Sequence, residues 1–161
     1  MTGRAIVIVA STRAAHGIYP DATGPIIARW LDERGWRDAR VVLVPDGDPV
    51  GAALREAVSA SAPVIITTGG TGVSPTDVTP EQTRTVIDRE LPGIAEEMRR
   101  RGAEQTPHAL LSRGIAGVTG RTVVVNLPGS TGGVRDGLAV LDGVLAHVVD
   151  QLAGRDHGGA S

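Results

Sequence analysis

The chain has 161 residues, enough for one domain with a sizeable core, and its 41% apolar and 21% charged residues are typical of a globular protein. Its net charge of −2 offers no basic surface for nucleic acid, and no apolar run approaches the roughly 20 residues that span a bilayer. Because cysteine and lysine are absent, the sequence excludes disulfides, thiol nucleophiles, Schiff bases and the lysine of a P-loop. The stretch Met1–Ala10 lacks the features of a secretory signal, so we expect a cytoplasmic protein.

Short apolar runs alternate with amphipathic segments along the first half of the chain. Continuous apolar runs of strand length are typical of strands buried on both faces, whereas apolar residues spaced three and four apart indicate helices. In chain order, these patterns predict a strand at Ala5–Ala10, polar turns at Ser11–Asp21, a helix around Ile26–Leu31 ending near Gly35, a strand at Val41–Val44, a turn at Pro45–Pro49, a helix at Val50–Ala60 and a strand at Val64–Thr68.

The second half of the chain begins with a long helical pattern and ends with another. The pattern predicts helix from Glu81 to Arg113, with breaks at Leu91-Pro92-Gly93 and near Pro107, then a strand at Arg121–Asn126 and one long amphipathic helix carrying Val134 to Leu152. We predict a single domain over residues 1–153 and a disordered tail over residues 154–161.

Alternating strands and helices predict an α/β fold: a three-layer α/β/α sandwich with a mainly parallel sheet, in a single domain. In such folds ligands bind outside the carboxyl ends of the strands. That rule predicts one site built from four loops: Ser11–Asp21, Pro45–Pro49, Gly69–Pro80 and Leu127–Thr131.

The loop after the third predicted strand, within the stretch TTGGTGVSPTDVTPE, has the features of an anion-binding site. Gly69, Gly70 and Gly72 permit positive φ and close approach of the backbone, and successive amides in such a loop bind anions. Pro80-Glu81 suits the start of a helix, whose free amides also favour phosphate. Further hydroxyl donors come from Thr68, Thr71, Ser74 and Thr76.

Asp77 is the residue of this loop that does not favour an anion. A carboxylate beside a phosphate is repulsive unless a cation lies between them, and Mg²⁺ held by one or two carboxylates plus substrate phosphates is a common solution. The alternative is that Asp77 only closes a turn through a bond to the Thr79 amide.

For other polar residues near the strand ends, the sequence allows both a role in ligand binding and a purely structural role in a turn or helix cap. Asn126–Gly133 predicts a second oxyanion loop, although Ser130 or Thr131 can equally cap the following helix. Asp46 follows its strand where catalytic or nucleotide-binding carboxylates are often placed, although it can equally serve only the turn at Pro45–Pro49. Asp21 is more simply a helix cap. Arg99-Arg100-Arg101 beside Glu96-Glu97 predicts an ion-paired, solvated helix surface. Together the residues favour phosphoryl or nucleotidyl transfer assisted by Mg²⁺.

The motifs Thr67-Thr68-Gly69-Gly70-Thr71-Gly72, Asp77-Val78-Thr79-Pro80-Glu81 and Asn126-Leu127-Pro128-Gly129 resemble those of the Mog/MoaB family of molybdenum-cofactor biosynthesis. The resemblance runs through Pro45-Asp46 and Leu111-Ser112-Arg113 to about residue 150. One departure is Ser11-Thr12-Arg13, where the family often reads S-D-R.

The resemblance implies a molybdopterin adenylyltransferase, which transfers AMP from Mg-ATP to the terminal phosphate of molybdopterin. It also implies a homotrimer, with molybdopterin, ATP and the molybdate-inserting enzyme as partners. The alternative is a binding or scaffold paralogue of the same pathway without catalysis. Carried over position by position, Asp77 and Asp46 match functionally required aspartates. Asp77 is expected to place the metal, and Asp46 to position the nucleotide or its metal. Gly69–Gly72 match the glycine-rich loop, Leu127-Pro128-Gly129-Ser130 match a phosphate-holding loop, and Ser112 and Glu81 match positions near the site.

Overall fold

Four parallel strands and two antiparallel ones form a single sheet in the computed structural model, which describes residues 3–155. The order across the sheet is β2-β1-β3-β6-β5-β4. The strands are β1 (Ile6–Ala10), β2 (Arg40–Val44), β3 (Val64–Thr68), β4 (Arg89–Glu90), β5 (Ala116–Thr119) and β6 (Thr122–Leu127).

The parallel pairs put the ends of β1, β2, β3 and β6 at one edge of the sheet. Residues of β1 pair with both β2 and β3, and β3 pairs with β6 so that Thr68 lies opposite Leu127. On the other side of β6, β5 pairs antiparallel with β6, and the short strand β4 pairs antiparallel with β5. The predicted fold class is therefore confirmed, with a two-strand antiparallel extension.

Within residues 3–155, seven helices surround the sheet. They are α1 (Thr12–Ala15), α2 (Thr23–Glu33), α3 (Asp48–Ser59), α4 (Thr79–Arg84), α5 (Pro92–Gln105), α6 (Thr131–Asp142) and α7 (Leu145–Leu152), with a 3₁₀ turn at Pro107–Leu111. Pro49, Pro80 and Pro92 each stand in the first turn of a helix, where the missing N–H of proline costs no hydrogen bond.

The core is divided by the sheet into two apolar layers. Because successive strand residues point to opposite faces, Val7 and Ile66 pack in one layer whereas Ile8 and Ile65 pack in the other. The first layer is covered by α2, α6 and α7, and the second mainly by α3. This arrangement confirms the predicted three layers.

Several predicted elements need correction. A short helix, α1, lies within the predicted turn at Ser11–Asp21, because the Ser11 side chain accepts the Ala14 amide and caps it. The predicted single last helix is in fact two helices. Helix α6 ends at Asp142, Val144 has a non-helical φ of −133°, and α7 begins at Leu145. The strand β5 was not predicted, because its four residues, Ala116–Thr119, carry too short a pattern.

The segment predicted as helical from Glu81 to Arg113 is broken at Leu91-Pro92-Gly93 and near Pro107, as expected, but it also contains the unpredicted strand β4. At the other end of the domain, Gly154 and Arg155 donate to carbonyls of α7. The rest of the predicted tail, residues 156–161, lies outside the described residues. Among residues 3–155, no helix combines the length and the apolar character required to cross a bilayer.

Asn126 connects three parts of the fold below the sheet edge. It is 3% exposed, and its amide nitrogen donates to the hydroxyls of Thr67 on β3 (2.9 Å) and Thr83 on α4 (3.0 Å). Its amide oxygen accepts the backbone N–H of Ile115 at 3.1 Å. A buried polar side chain is stable only when its donors and acceptor are satisfied. The three contacts link β6 to β3, to α4 and to Ile115, the residue before β5.

Replacing Asn126 should therefore destabilise the domain. We expect Asn126→Ala to lower the free energy of unfolding by about 2–4 kcal/mol, because the Ile115 amide loses its partner and a small cavity remains. Urea denaturation would measure this loss. A matched control is Thr85→Ala, which removes an exposed hydroxyl bound to the Gln82 carbonyl and should change stability by less than about 0.5 kcal/mol. Equal stability of the two variants would contradict the role of Asn126.

Candidate active site

The loops that follow the four parallel strands meet at one edge of the sheet. Residues from all four line a cleft of about 600 Å³, whose walls carry three aspartates, Asp21, Asp46 and Asp77. We call this the carboxylate cleft. The convergence predicted from the positions of the loops after parallel strands is thus present in the structure.

A larger cleft of about 760 Å³ adjoins the carboxylate cleft. We call it the apolar cleft, because Ala95, Met98, Ala109, Leu111 and Pro128 are among its walls. The two clefts have three wall residues in common: Gly70, Asp77 and Gly129. Ligands bound in the two clefts would therefore meet at this shared wall.

The glycine-rich loop, Gly69–Gly72, depends on backbone angles that other residues resist. Gly69 has φ +90° and Gly70 has φ +66°, both in the left-handed region. A Cβ on Gly69 would also collide with the Ala10 carbonyl, and one on Gly70 would collide with the Thr79 hydroxyl. The loop thus passes close to its neighbours in a way that only glycine permits.

A second loop, Leu127–Ser130, lies against the first and is called the LPG loop below. Thr68 donates its hydroxyl to the Pro128 carbonyl at 2.7 Å, and the Gly69 amide donates to the Leu127 carbonyl at 3.1 Å. A Cβ on Gly129 would lie 3.4 Å from Gly69 Cα. Ser130 caps α6 by accepting the Gly133 amide at 3.1 Å, so the predicted capping role is confirmed.

Asp46 lies just beyond β2 and is oriented by the start of α1. Thr12 donates to Asp46 Oδ2 from its backbone nitrogen (3.3 Å) and its hydroxyl (3.1 Å), while the Asp46 amide donates back to Thr12 Oγ1 at 3.1 Å. Asp46 Oδ1 lies 3.3 Å from where a Cβ on Gly70 would stand, and no donor within residues 3–155 binds it. Thr12, the departure from S-D-R, therefore holds Asp46 so that one oxygen faces the glycine-rich loop.

Asp77 is half-buried and closes a tight turn with Ser74, not the predicted turn with the Thr79 amide. Its Oδ2 accepts the Ser74 amide at 3.1 Å, and its own amide donates to the Ser74 carbonyl at 2.9 Å. The Thr79 amide donates instead to the Gly70 carbonyl at 3.1 Å, so the Asx bond to Thr79 is not formed. Oδ1 of Asp77 has no protein donor in the described part of the chain, which leaves it available to a cation.

Arg113 holds the outer part of this loop, a role that no pattern in the sequence indicates. Its guanidinium donates to the carbonyls of Gly72 (2.8 Å) and Asp77 (2.7 Å) and forms an ion pair with Glu81. Its backbone amide also donates to the Thr71 carbonyl at 2.7 Å. The resemblance includes Leu111-Ser112-Arg113, but no local pattern distinguishes this arginine, because the partners of its guanidinium lie 32 to 41 residues away in sequence.

The ion pair between Arg113 and Glu81 changes the acid–base properties of both groups. The hydrogen bond from Arg113 is the main reason that the pKa of the Glu81 carboxyl is lowered from its ordinary value, and the same bond raises the pKa of Arg113. Glu81 is therefore ionised at neutral pH, and the charge-assisted bond persists over the whole physiological range.

The arginines of α5 only partly follow the prediction. Arg100 and Arg101 form exposed ion pairs with Glu97, as expected, and the pKa of Glu97 falls to about 2 chiefly through its bond to Arg100. Arg99, in contrast, turns into the wall of the apolar cleft and donates to the carbonyls of Ser112 (3.3 Å) and Gly114 (2.9 Å).

The predicted site residues divide between the two clefts, the shared wall and the interior. Thr68 and Gly69 line only the carboxylate cleft, whereas Thr71, Gly72, Ser112, Pro128 and Ser130 line only the apolar cleft. Three predicted residues line neither cleft. Ser74 contacts Asp77, Glu81 pairs with Arg113, and the Leu127 side chain is fully buried in the core.

The first loop supplies the remaining wall of the carboxylate cleft. Asp21 accepts the amides of Thr23 (3.2 Å) and Gly24 (3.0 Å) through one oxygen, so its predicted capping role is confirmed. Arg13 also lines this cleft and lies over the Tyr19 ring, 5.3 Å from the centroid. No group of three or more metal-binding side chains occurs within residues 3–155.

These features define a class of α/β proteins that bind anionic, phosphate-bearing ligands where glycine loops and helix starts meet at the carboxyl edge of the sheet. Residues 6–147 match the family described as "Probable molybdopterin binding domain". The chain belongs to this family, as the resemblance of its motifs predicted.

Similar proteins agree with this membership. A structure of the molybdopterin biosynthesis Mog protein from Mycobacterium ulcerans is 55% identical with a TM-score of 0.91, covering 94% of this chain and 99% of that one. The molybdopterin adenylyltransferase of Escherichia coli is 35% identical over 151 residues, 86% of this chain and 77% of the relative. The molybdenum cofactor biosynthesis bifunctional protein of Chlorobaculum tepidum is 37% identical over 155 residues, 96% of this chain. The chain spans about half the length of that relative, at 50%.

The steric limits at the glycine-rich loop predict a specific loss of stability. Gly69→Ala should lower the free energy of unfolding by about 2–4 kcal/mol, because the new methyl group meets the Ala10 carbonyl at an unfavourable φ. The control is Gly93→Ala on α5, where a Cβ has no neighbour within 4 Å, and a gain of about 0.5–1 kcal/mol is expected. Urea denaturation of both variants checks this, and a Gly69→Ala protein as stable as wild type would contradict it.

The ion pair of Glu81 predicts part of the response to acid. Because its folded pKa is lowered, Glu81 stabilises the fold above its unfolded pKa of about 4.3, and this contribution is lost as the pH falls through the lower folded value. The side chain is 48% exposed, so the contribution should be below about 1 kcal/mol. Between pH 6 and pH 3, Glu81→Gln should lose less stability in urea denaturation than wild type does. An equal loss would show that the ion pair contributes nothing.

Proposed function

We propose that the chain is a molybdopterin adenylyltransferase, which transfers AMP from ATP to the terminal phosphate of molybdopterin and releases pyrophosphate. The observation that carries this proposal is the shared wall of Gly70, Asp77 and Gly129 between two clefts. Transfer between two substrates requires both to be held with their reacting atoms in contact. A relative that the chain covers over 77% of its length is named molybdopterin adenylyltransferase, which supports the same activity.

The proposed reaction is a direct displacement at phosphorus. An oxygen of the terminal phosphate of molybdopterin attacks the α-phosphorus of ATP and forms a new P–O bond. The bond from the α-phosphorus to the bridging oxygen breaks, and that oxygen leaves with the electron pair as pyrophosphate. No covalent intermediate on the protein is needed, so catalysis depends on positioning and on stabilising charge.

The chain's own groups suit those two tasks. Backbone amides of Gly69–Gly72 and of the LPG loop would donate to phosphate oxygens at the shared wall, and the start of α6 contributes further free amides. These amides supply the positive electrostatic potential that a P-loop lysine gives in other nucleotide sites. The reacting phosphates would lie at the shared wall, with the organic parts of the two substrates extending into the two clefts.

The donor set also fits Mg²⁺. Asp46 and Asp77 each have one carboxylate oxygen bound to the protein and one without a donor within residues 3–155. Mg²⁺ is commonly bound by one or two carboxylates, with phosphates and water completing its coordination, so a third protein ligand is not required. Bound by these aspartates, the ion would neutralise charge on the phosphates and on the leaving pyrophosphate.

The proposal includes features that rest on the family resemblance. They are assembly as a homotrimer, a cytoplasmic location and transfer of the product to the molybdate-inserting enzyme. The competing proposal is a paralogue that binds molybdopterin without catalysis. The two aspartates with available oxygens favour the enzyme, because a protein that only binds a phosphorylated pterin gains nothing from negative charge beside the phosphates.

Incubation of the protein with MgCl₂, ATP and molybdopterin tests the activity. Release of pyrophosphate together with formation of the adenylylated pterin, followed by mass spectrometry, is the expected result. Binding of molybdopterin without pyrophosphate release would contradict the enzymatic proposal and identify the chain as a binding paralogue.

The role of Asp77 gives a sharper prediction. Asp77→Asn keeps the shape of the side chain but removes its charge, so turnover should fall by about 100-fold or more, comparable to the loss of one electrostatic stabiliser. The control is Asp32→Asn, an exposed position on α2, which should leave turnover unchanged. Near-wild-type transfer by Asp77→Asn, with the same dependence on Mg²⁺, would show that Asp77 does not place the metal.

A further inference from the structure

The glycine-rich loop is tied down from outside by one side chain. Arg113 donates through Nε to the Gly72 carbonyl at 2.8 Å and through Nη2 to the Asp77 carbonyl at 2.7 Å, while Nη1 pairs with Glu81. Each nitrogen of the guanidinium therefore contacts a different residue of the segment 72–81. A planar fork with donors on three nitrogens can make these contacts at once, which an ammonium group cannot reproduce.

Within the segment held by Arg113, the part before α4 has few other constraints. Residues Val73 to Thr76 are exposed, and the Asp77 carboxylate accepts only the Ser74 amide within the described residues. Gly70 and Gly72 on its inner side have the broad conformational freedom of glycine. Without the contacts from Arg113, the direction of the Asp77 side chain would depend on the turn with Ser74 and on the backbone bond from Thr79 to Gly70, beside four exposed residues.

Arg113 is itself held from the other side. Arg99 on α5 donates to the carbonyls of Ser112 (3.3 Å) and Gly114 (2.9 Å), the two residues that flank Arg113. The Arg113 amide donates to Thr71 at 2.7 Å, next to the residues of the shared wall. The backbone that carries the guanidinium is thus fixed both to α5 and to the glycine-rich loop.

We propose that Arg113 is a positioning residue for the transfer reaction, which keeps Asp77 and the amides of Gly70–Gly72 in one arrangement at the shared wall. This inference rests on the proposed function for its effect on turnover. The positioning role depends on the planar shape of the guanidinium. A positive charge alone at this position would still attract Glu81, but it would not bind the carbonyls of Gly72 and Asp77 together. A misplacement of about 1 Å at reacting groups can cost about 100-fold in rate.

The test compares Arg113→Lys with Arg100→Lys. Arg100 forms exposed ion pairs with Glu97 and Glu104 on α5 and lines neither cleft, so it is a matched arginine outside the site. We expect Arg113→Lys to lower kcat by about 100-fold with a change in KM below about three-fold. Hydrogen–deuterium exchange of the amides at residues 70–77 should accelerate by about ten-fold or more, while the core strands stay protected. Arg100→Lys should change neither quantity.

The outcomes separate the positioning role from the alternatives. Full activity of Arg113→Lys would show that charge alone suffices, and unchanged exchange of residues 70–77 would show that the loop does not need Arg113. Either result overturns the proposal. If wild type itself releases no pyrophosphate, the proposed function fails, whereas the exchange measurement needs no substrate and still tests whether Arg113 holds the loop.

A second variant covers the case in which Arg113→Lys does not fold. Glu81→Gln keeps both carbonyl contacts of Arg113 and removes only the ion pair, so it is a milder change at an exposed side chain. We expect exchange of residues 70–77 to rise and kcat to fall by about three-fold each, in line with an exposed ion pair. Because one of the three contacts of the guanidinium is then missing, wild-type values of both quantities would overturn the proposal that the three contacts together hold the loop.

Discussion

Parallel pairing of β3 with β6 is the constraint on which the candidate site depends. Thr68 and Leu127 pair across the sheet although they are far apart in sequence, and both strands end at the same edge. The contact from the Gly69 amide to the Leu127 carbonyl continues the pairing by one bond beyond β3, and the Thr68 hydroxyl adds another to Pro128. An antiparallel pair would send the two loops to opposite edges, so neither the shared wall nor the junction of the clefts would form.

Two polar side chains then stabilise the loops, one from within the core and one from near the surface. Asn126 is neutral and can be buried because its three hydrogen bonds satisfy it. Arg113 is charged and stays partly exposed, where its ion pair with Glu81 and two carbonyl acceptors offset the loss of hydration. Asn126 thus fixes β3, α4 and the start of β5 below the edge, while Arg113 fixes the glycine-rich loop above it.

The electrostatics of the edge follow from the absence of lysine and the position of the aspartates. Backbone amides at left-handed glycines provide positive potential without a charged side chain, and this potential does not depend on pH. Asp46 and Asp77 line the same cleft, so their negative charges oppose an anionic ligand unless a cation lies between them. Thr12 reinforces this arrangement, because its two donors hold Asp46 with one oxygen towards Gly70.

By itself, the sequence determined the four parallel strands, the α/β class and the loops that carry Asp46, Asp77 and Gly69–Gly72, because apolar periodicity and glycine conformation are local properties. It could not determine β4, β5 or the division between α6 and α7, whose patterns are too short or too continuous to read without their packing partners. The roles of Arg113 and Arg99 were likewise decided only by the tertiary structure. Many of the chain's 16 arginines lie on the surface, and these two differ from the others only because folding brings distant carbonyl groups within hydrogen-bond distance of them.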